Sequence, residues 1–192
     1  IARSFLLNGY GGLILSVKDE KRLWQAYCKK YGREQDLVII GPENGEFFNF
    51  LEYESNLRSD AGKGIVHNIA DTLSVIIKAG SNNSGHESDK AFWDTTLKQL
   101  LVNSLDLILL TQDKMRFETL YKIVQSAPRS QGQLKNQDWK ERSLCYQLIK
   151  HAAQSLSNAK PTIEVNKKVR RVHALEDFFL GSWLNLSEKT RS

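Results

Sequence analysis

Gly11-Gly12-Leu13-Ile14-Leu15-Ser16-Val17-Lys18 and, further along, Asp36-Leu37-Val38-Ile39-Ile40-Gly41-Pro42 are the two stretches on which the fold turns. Each is a short continuous apolar run closed by a charged or turn residue, the form of a strand buried on both faces. Between them, Asp19 to Tyr31 sets Leu23, Ala26, Tyr27 and Lys30 on one helical face and Lys21, Arg22 and Lys29 on the other. Gly32 stands where a helix C-terminal glycine belongs. Strand, helix and strand within about 30 residues predict a parallel βαβ unit. Ahead of it, Ile1, Phe5 and Leu6 have helical spacing, and that helix stops at Gly9.

From Asp60 onward the period is helical. Ile65, Val66, Ile69, Leu73, Ile76 and Ile77 mark one helix closed by Gly80. After a polar loop, Asp89 is placed to cap a long helix holding Phe92, Trp93, Leu97, Leu100, Leu101, Leu105 and Ile108, which reads as the central buried one. Phe117 to Val124 form a shorter helix that Pro128 follows, and Arg129 to Asn136 read as a polar linker. Trp139, Leu144, Cys145, Leu148, Ile149 and Ala152 mark one further helix, and Val172 to Leu184 the last. The expected fold class is therefore α/β plus all-α, with part of a parallel sheet in residues 1–57 and a helical bundle in 58–192.

The 192 residues are 41% hydrophobic and 26% charged, which excludes collagen, disordered tails and disulfide scaffolds. Ile1 opens the chain without a methionine or a signal-like apolar core, so a piece of a longer protein is expected. Cys28 and Cys145 lie far apart without a Cys-x-x-Cys pair, which favours inert buried thiols in a reduced compartment. The richest apolar stretch, Leu97 to Leu110, is interrupted by Lys98, Gln99, Asn103 and Asp106, so a soluble piece is expected.

Catalytic patterns are missing. Gly62-Lys63-Gly64 lacks the upstream glycine and the following Ser/Thr of a phosphate loop, and Gly9-Tyr10-Gly11-Gly12 precedes an apolar run rather than a helix. His67, His86, His151 and His173 are dispersed, and His86-Glu87-Ser88-Asp89 reads better as a loop and helix cap than as a metal site. No catalytic residue, cofactor ligand or metal ligand is assigned. The net charge of +5 narrows to one dense run, Lys167-Lys168-Val169-Arg170-Arg171, whose four cations are the candidate contacts for a nucleic acid or protein partner. Trp139 and Trp183 have the residue types of stacking platforms, but their helical spacing assigns them to the core.

Gly11 to Lys18, Trp24 with Tyr27, Gly32-Arg33, Asp36 to Ile40 and Phe48-Asn49-Phe50-Leu51 together resemble the conjugative DNA-transfer ATPases, the type IV secretion coupling proteins. These belong to the ring-forming DNA-pumping P-loop motors. Phe92-Trp93, Leu100-Leu101, Ser126-Ala127-Pro128 and Glu188 to Ser192 share the resemblance, which covers about a third of the chain. The chain departs from the family pattern at Ser16, where an acidic residue is common, and at Phe50, where proline is commoner.

The resemblance implies that residues 1–57 are part of a RecA-like nucleotide-binding domain after the Walker A helix. Residues 58–192 would be the inserted all-α domain. Walker A and Walker B lie outside the chain in this view, and ATP and Mg²⁺ are implied for the parent alone. The parent would be a membrane-anchored hexamer at the cytoplasmic face of the bacterial inner membrane. Its all-α domain would recognise a relaxase, a secreted effector protein or single-stranded DNA, beside other secretion-system subunits. The alternative is a structural helical insertion that sets subunit contacts in the ring. An unrelated enzyme would need a deep pocket of perturbed acids.

Overall fold

The described residues form no strand and are all-α. The computed structural model describes residues 2–41, 43, 46–56, 64–80, 87–112, 114–157 and 159–186, with the side chains of 64 and 87–90 excepted. The expected parallel βαβ unit, and with it the RecA-like sheet, is corrected. Leu13-Ile14-Leu15 and Val38-Ile39-Ile40 carry non-helical backbone without a ladder, and Leu13, Leu15 and Val17 are exposed by 84%, 88% and 106%. A parallel pair is stable only when both faces are covered, and two runs this short make too few pairs to hold a sheet. The residues around them supply no such cover, since Cys28 is the one buried hydrophobic residue described before Leu51.

The chain divides into two compact units, Ile1–Phe48 and Asn49–Ser192. The boundary expected at 57/58 lies outside the described residues. The first unit holds α1 (Ala2–Leu7) and α2 (Lys21–Lys30), followed by a 3₁₀ turn at Glu34–Asp36. Both helices end as their glycines predict. Gly9 and Gly32 have φ of 76° and 65°, conformations that a side chain disfavours. Tyr10 N donates to Phe5 O at 3.0 Å and Arg33 N to Cys28 O at 2.8 Å, the long closing bond of a Schellman motif in each case.

The second unit contains α3 (Phe50–Asn56), α4 (Gly64–Gly80), α5 (Glu87–Thr111), α6 (Phe117–Ser126), α7 (Gln131–Lys135), α8 (Gln137–Arg142), α9 (Leu144–Ser157) and α10 (Ile163–Glu176). One π turn at Asp177–Gly181 and a 3₁₀ turn at Ser182–Asn185 complete it. The long helix expected from Leu97 to Ile108 is α5, and it is central: α4, α6, α9 and α10 all pack on it. Leu105, Leu107 and Ile108 are fully buried there with Ile69, Ile123 and Phe179. Each such side chain contributes about 1.5–3 kcal/mol by leaving water. α5 begins at Glu87, so Asp89 sits inside the helix rather than capping it.

Two other expectations change in detail. The linker Arg129 to Asn136 contains α7, because Ser130 Oγ accepts from Gln133 N and caps it. The single helix expected from Trp139 to Ala152 is two, α8 and α9, broken at Ser143 in extended backbone. Ser143 then caps α9 by accepting from Tyr146 N at 3.1 Å. Among the described residues no helix is long and apolar enough to cross a membrane.

Candidate functional site

Charge is not spread evenly over the chain. Residues 137–192 hold ten of the 27 Lys and Arg residues against six of the 22 Asp and Glu, which places four of the five net positive charges there. This stretch comprises α8, α9, α10 and the turns after them. Within it, α10 carries the four cations singled out by the sequence. Thr162 Oγ1 accepts from Val165 N at 3.1 Å, and Pro161 just before it cannot continue a helix backward, so the start of α10 is fixed. Val172 and Leu175 are buried and hold the helix to the core, while Lys167, Lys168, Arg170 and Arg171 are all exposed.

The four do not act alike. Lys167 Nζ lies 3.7 Å from Glu164 Oε2 one turn back, and the Arg171 guanidinium pairs with the carboxylate of Asp106 on α5. Lys168 and Arg170 form no ion pair among the described residues. At about 100° per residue, Lys167 and Arg171 fall on one stripe while Lys168 and Arg170 flank it about 160° apart. The run therefore divides into two cations engaged within the protein and two facing solvent. His173 Nδ1 lies 3.2 Å from Glu176 Oε2 at the end of the same helix.

An aromatic pair lies at the junction of α8 and α9, where Lys140 and Arg142 are balanced by Asp138 and Glu141. Trp139 and Tyr146 meet with ring centroids 5.9 Å apart and planes inclined by 60°, and Lys140 Nζ stands 5.6 Å from the Tyr146 ring centre. Trp139 is half-buried and belongs to no part of the core, which corrects its expected place beside Trp183. Trp183 is 5% exposed and does join the core, against Phe178. The helical spacing of Trp139 misled because Ser143 ends the helix that the spacing assumed. The signal that locates Trp139 is the repeated cap: Asn136 three residues before Trp139, and Ser143 three before Tyr146.

Two grooves bear on the search for a catalytic site. One, about 310 Å³, lies within the first unit and is lined by Phe5, Leu6, Tyr10, Ile14 and Trp24 with Gly11 and Gly12. It presents no cationic side chain, so it does not fit a nucleotide triphosphate. The other, about 390 Å³, runs between α4 and α5 past Asp71, Lys78, Asp94 and Lys98. Its carboxylates are bridged across the helices, Lys78 Nζ to Asp94 Oδ2 at 2.7 Å and Lys98 Nζ to Asp71 Oδ1 at 2.6 Å. Each acid is thus neutralised by a lysine, a poor arrangement for Mg²⁺ or for general-acid chemistry. No step through ATP or Mg²⁺ follows from the residues described.

Among the described residues no three His, Cys, Asp or Glu side chains gather as a metal site. Gly62-Lys63, the loop Asn82-Asn83-Ser84, His86, the side chains of Glu87 to Asp89 and the stretch Glu188 to Ser192 lie outside them. Burial pushes the Cys145 thiol well above its ordinary pKa, so it is no nucleophile. The Lys122 ammonium, hydrogen-bonded to Glu118 at 2.6 Å on the exposed side of α6, holds that carboxyl below its ordinary value. Compared with family models, with curated proteins and with solved structures, the chain matches none of them.

Proposed function

We propose that the chain supplies the substrate-recognition unit of a type IV secretion coupling ATPase of the conjugative DNA-transfer kind. The helical unit from Asn49 onward engages a relaxase, a secreted effector protein or single-stranded DNA on its way to the channel. ATP and Mg²⁺ act elsewhere in such a hexameric motor at the inner membrane, and no catalytic residue is assigned here.

The observation that carries this reading is the placement of charge. Four of the five net positive charges fall within residues 137–192 of the sequence, and on α10 Lys168 and Arg170 are exposed and form no ion pair among the described residues. Such a face attracts a polyanion and releases its counterions on contact. The stretches that resemble the coupling proteins, Phe48-Asn49-Phe50-Leu51 and Ser126-Ala127-Pro128 among them, are the ground for the motor context.

Titration of a fluorescent single-stranded oligonucleotide, a relaxase and an effector with the whole chain tests it. Binding to at least one of them that weakens steeply between about 50 and 200 mM salt is expected. No binding to any of the three at low salt overturns the reading. A structural insertion making subunit contacts is the second reading, and the exposure of Val75, Ile76 and Ile77 on the last turns of α4 favours it. That reading expects self-association that disappears in Ile76→Ser.

A further inference from the structure

We propose that Trp139, Lys140 and Tyr146 form a stacking site for an unpaired base of single-stranded nucleic acid. This rests on the substrate-recognition reading above and names nucleic acid as the class of substrate that meets the α8–α9 junction.

The two rings are held rather than merely exposed. Asn136 Oδ1 accepts from Trp139 N at 3.0 Å, and Ser143 Oγ accepts from Tyr146 N at 3.1 Å, so each aromatic residue sits at the third position of a capped helix. Gln147 Nε2 on α9 donates to the carbonyl of Lys140 on α8 at 2.7 Å, which locks the angle between the two helices. The rings pack on each other at a tilt, with centroids 5.9 Å apart and planes 60° apart, and Lys140 stands over the Tyr146 ring. A base would stack on the part of the Trp139 ring left exposed beside Tyr146.

The polar atoms point to the same ligand. Trp139 Nε1 and the Tyr146 hydroxyl make no hydrogen bond among the described residues, leaving two donors for base carbonyls or sugar oxygens. Lys140, over the Tyr146 ring, and Arg142 form no ion pair among the described residues and can each meet a flanking phosphate, while Asp138 and Glu141 leave α8 without net charge, so the affinity of this site rests on stacking more than on charge. Aromatic rings interleaved with unpaired cations are the recurring means of holding single strands, because every base offers a π face. Duplex DNA keeps its bases stacked inside and fits this site poorly. An acidic peptide would use the cations but gain little from the indole.

The test compares an oligo-dT strand with an abasic strand of equal length, each titrated with the whole chain and with Trp139→Ala, Trp139→Phe and Lys140→Ala. Trp139→Ala is expected to weaken oligo-dT binding about tenfold, the loss of one stacked base, with abasic binding unchanged. Trp139→Phe retains most of the affinity, and Lys140→Ala lowers the salt slope by about 0.7 for both strands. Because Trp139 lies outside the core, an unchanged melting temperature in Trp139→Ala is expected, and Trp139→Phe guards against any folding defect. Equal binding of the two strands by the wild-type chain, or equal losses in Trp139→Ala for both, overturns the stacking site. If Trp139→Ala is silent while Lys168→Ala/Arg170→Ala weakens binding, the stacking site fails and the substrate-recognition reading stands. If the wild-type chain binds neither strand, the stacking site fails, and the reading then depends on its protein substrates.

Discussion

Asn49 Nδ2 donates to the main-chain carbonyl of Met115 at 2.9 Å across 66 positions of sequence, while Asn49 Oδ1 accepts from Glu52 N at 3.3 Å. One side chain therefore starts α3 and ties it to the turn between α5 and α6. Glu52 adds to the clamp by accepting from Asn49 and approaching Lys114 Nζ at 3.8 Å. The asparagine in the Phe48-Asn49-Phe50-Leu51 stretch thus has a structural use in this chain.

Asn49→Ala is expected to cost about 1–2 kcal/mol, since it removes a helix cap and leaves a half-buried carbonyl without its donor. Asn49→Asp keeps the cap oxygen but loses the donor, and adds a charge beside Glu52, so it is expected to cost a similar amount. Urea unfolding measures both, read as a lower midpoint at an unchanged slope. Wild-type midpoints in both variants would show that the clamp contributes nothing.

The junction of α6 and α9 yields a second prediction. Ser143 Oγ donates to Ser126 O at 2.7 Å and Cys145 N donates to Ser126 Oγ at 3.0 Å, so the end of one helix is bonded to the start of the other. Ser143 is 2% exposed. Ser143→Ala removes the cap of α9 and the donor to Ser126 together, for an expected loss of about 2–3 kcal/mol. Ser143→Thr keeps the hydroxyl and is expected to recover at least half of that loss by the same unfolding measurement.

Cys145 supplies a pH dependence. Its folded pKa is raised by burial, so the native state keeps the thiol proton after unfolded chains begin to lose it near pH ~8.5. The group leaves stability unaltered below that pH, and stability then falls as pH rises, by about 1.4 kcal/mol per pH unit. Cys145→Ala removes this component. Unfolding curves from about pH 7 to pH 10 should show the wild-type chain losing stability more steeply than the variant above pH ~8.5. Parallel losses in the two chains would contradict the buried thiol.

The helical part of the fold was legible in the sequence wherever apolar spacing and packing agree. Ile69, Leu73, Leu105, Ile108, Leu148, Ile149 and Leu175 read as core positions and are buried. Gly9 and Gly32 mark helix ends in both views because a left-handed turn has a residue preference that needs no tertiary context. The runs Leu13 to Val17 and Leu37 to Ile40 misled for the opposite reason. An apolar run specifies a strand only where neighbours can pair with it, and composition does not report the neighbours. Ile76 and Ile77 fit the spacing of a core face yet stay exposed on the last turns of α4, because spacing marks a face and does not say how far along the helix its neighbours cover it.

The candidate site was half legible. Density of charge marked Lys167 to Arg171, but spacing alone does not tell a cation bound to Asp106 or Glu164 from one left to solvent. Asp106 stands 65 positions from its partner. The pairing of Trp139 and Tyr146 was missed because its cause is a helix break, and Ser143 in sequence is equally a helix interior residue or a cap.

The salt dependence of single-strand binding decides whether the unpaired cations of α10 meet phosphate. Plots of log affinity against log salt are compared for the wild-type chain, Lys168→Ala/Arg170→Ala and Arg171→Gln, using one labelled oligonucleotide. A slope shallower by about 1.4 is expected in the double variant, because two phosphates are no longer neutralised, at about 0.7 each. In Arg171→Gln the slope is expected to stay unchanged, with stability lowered by up to about 1 kcal/mol from the broken Asp106 pair. An unchanged slope in the double variant, or a flattening in Arg171→Gln as large as in the double variant, would contradict the role assigned to Lys168 and Arg170.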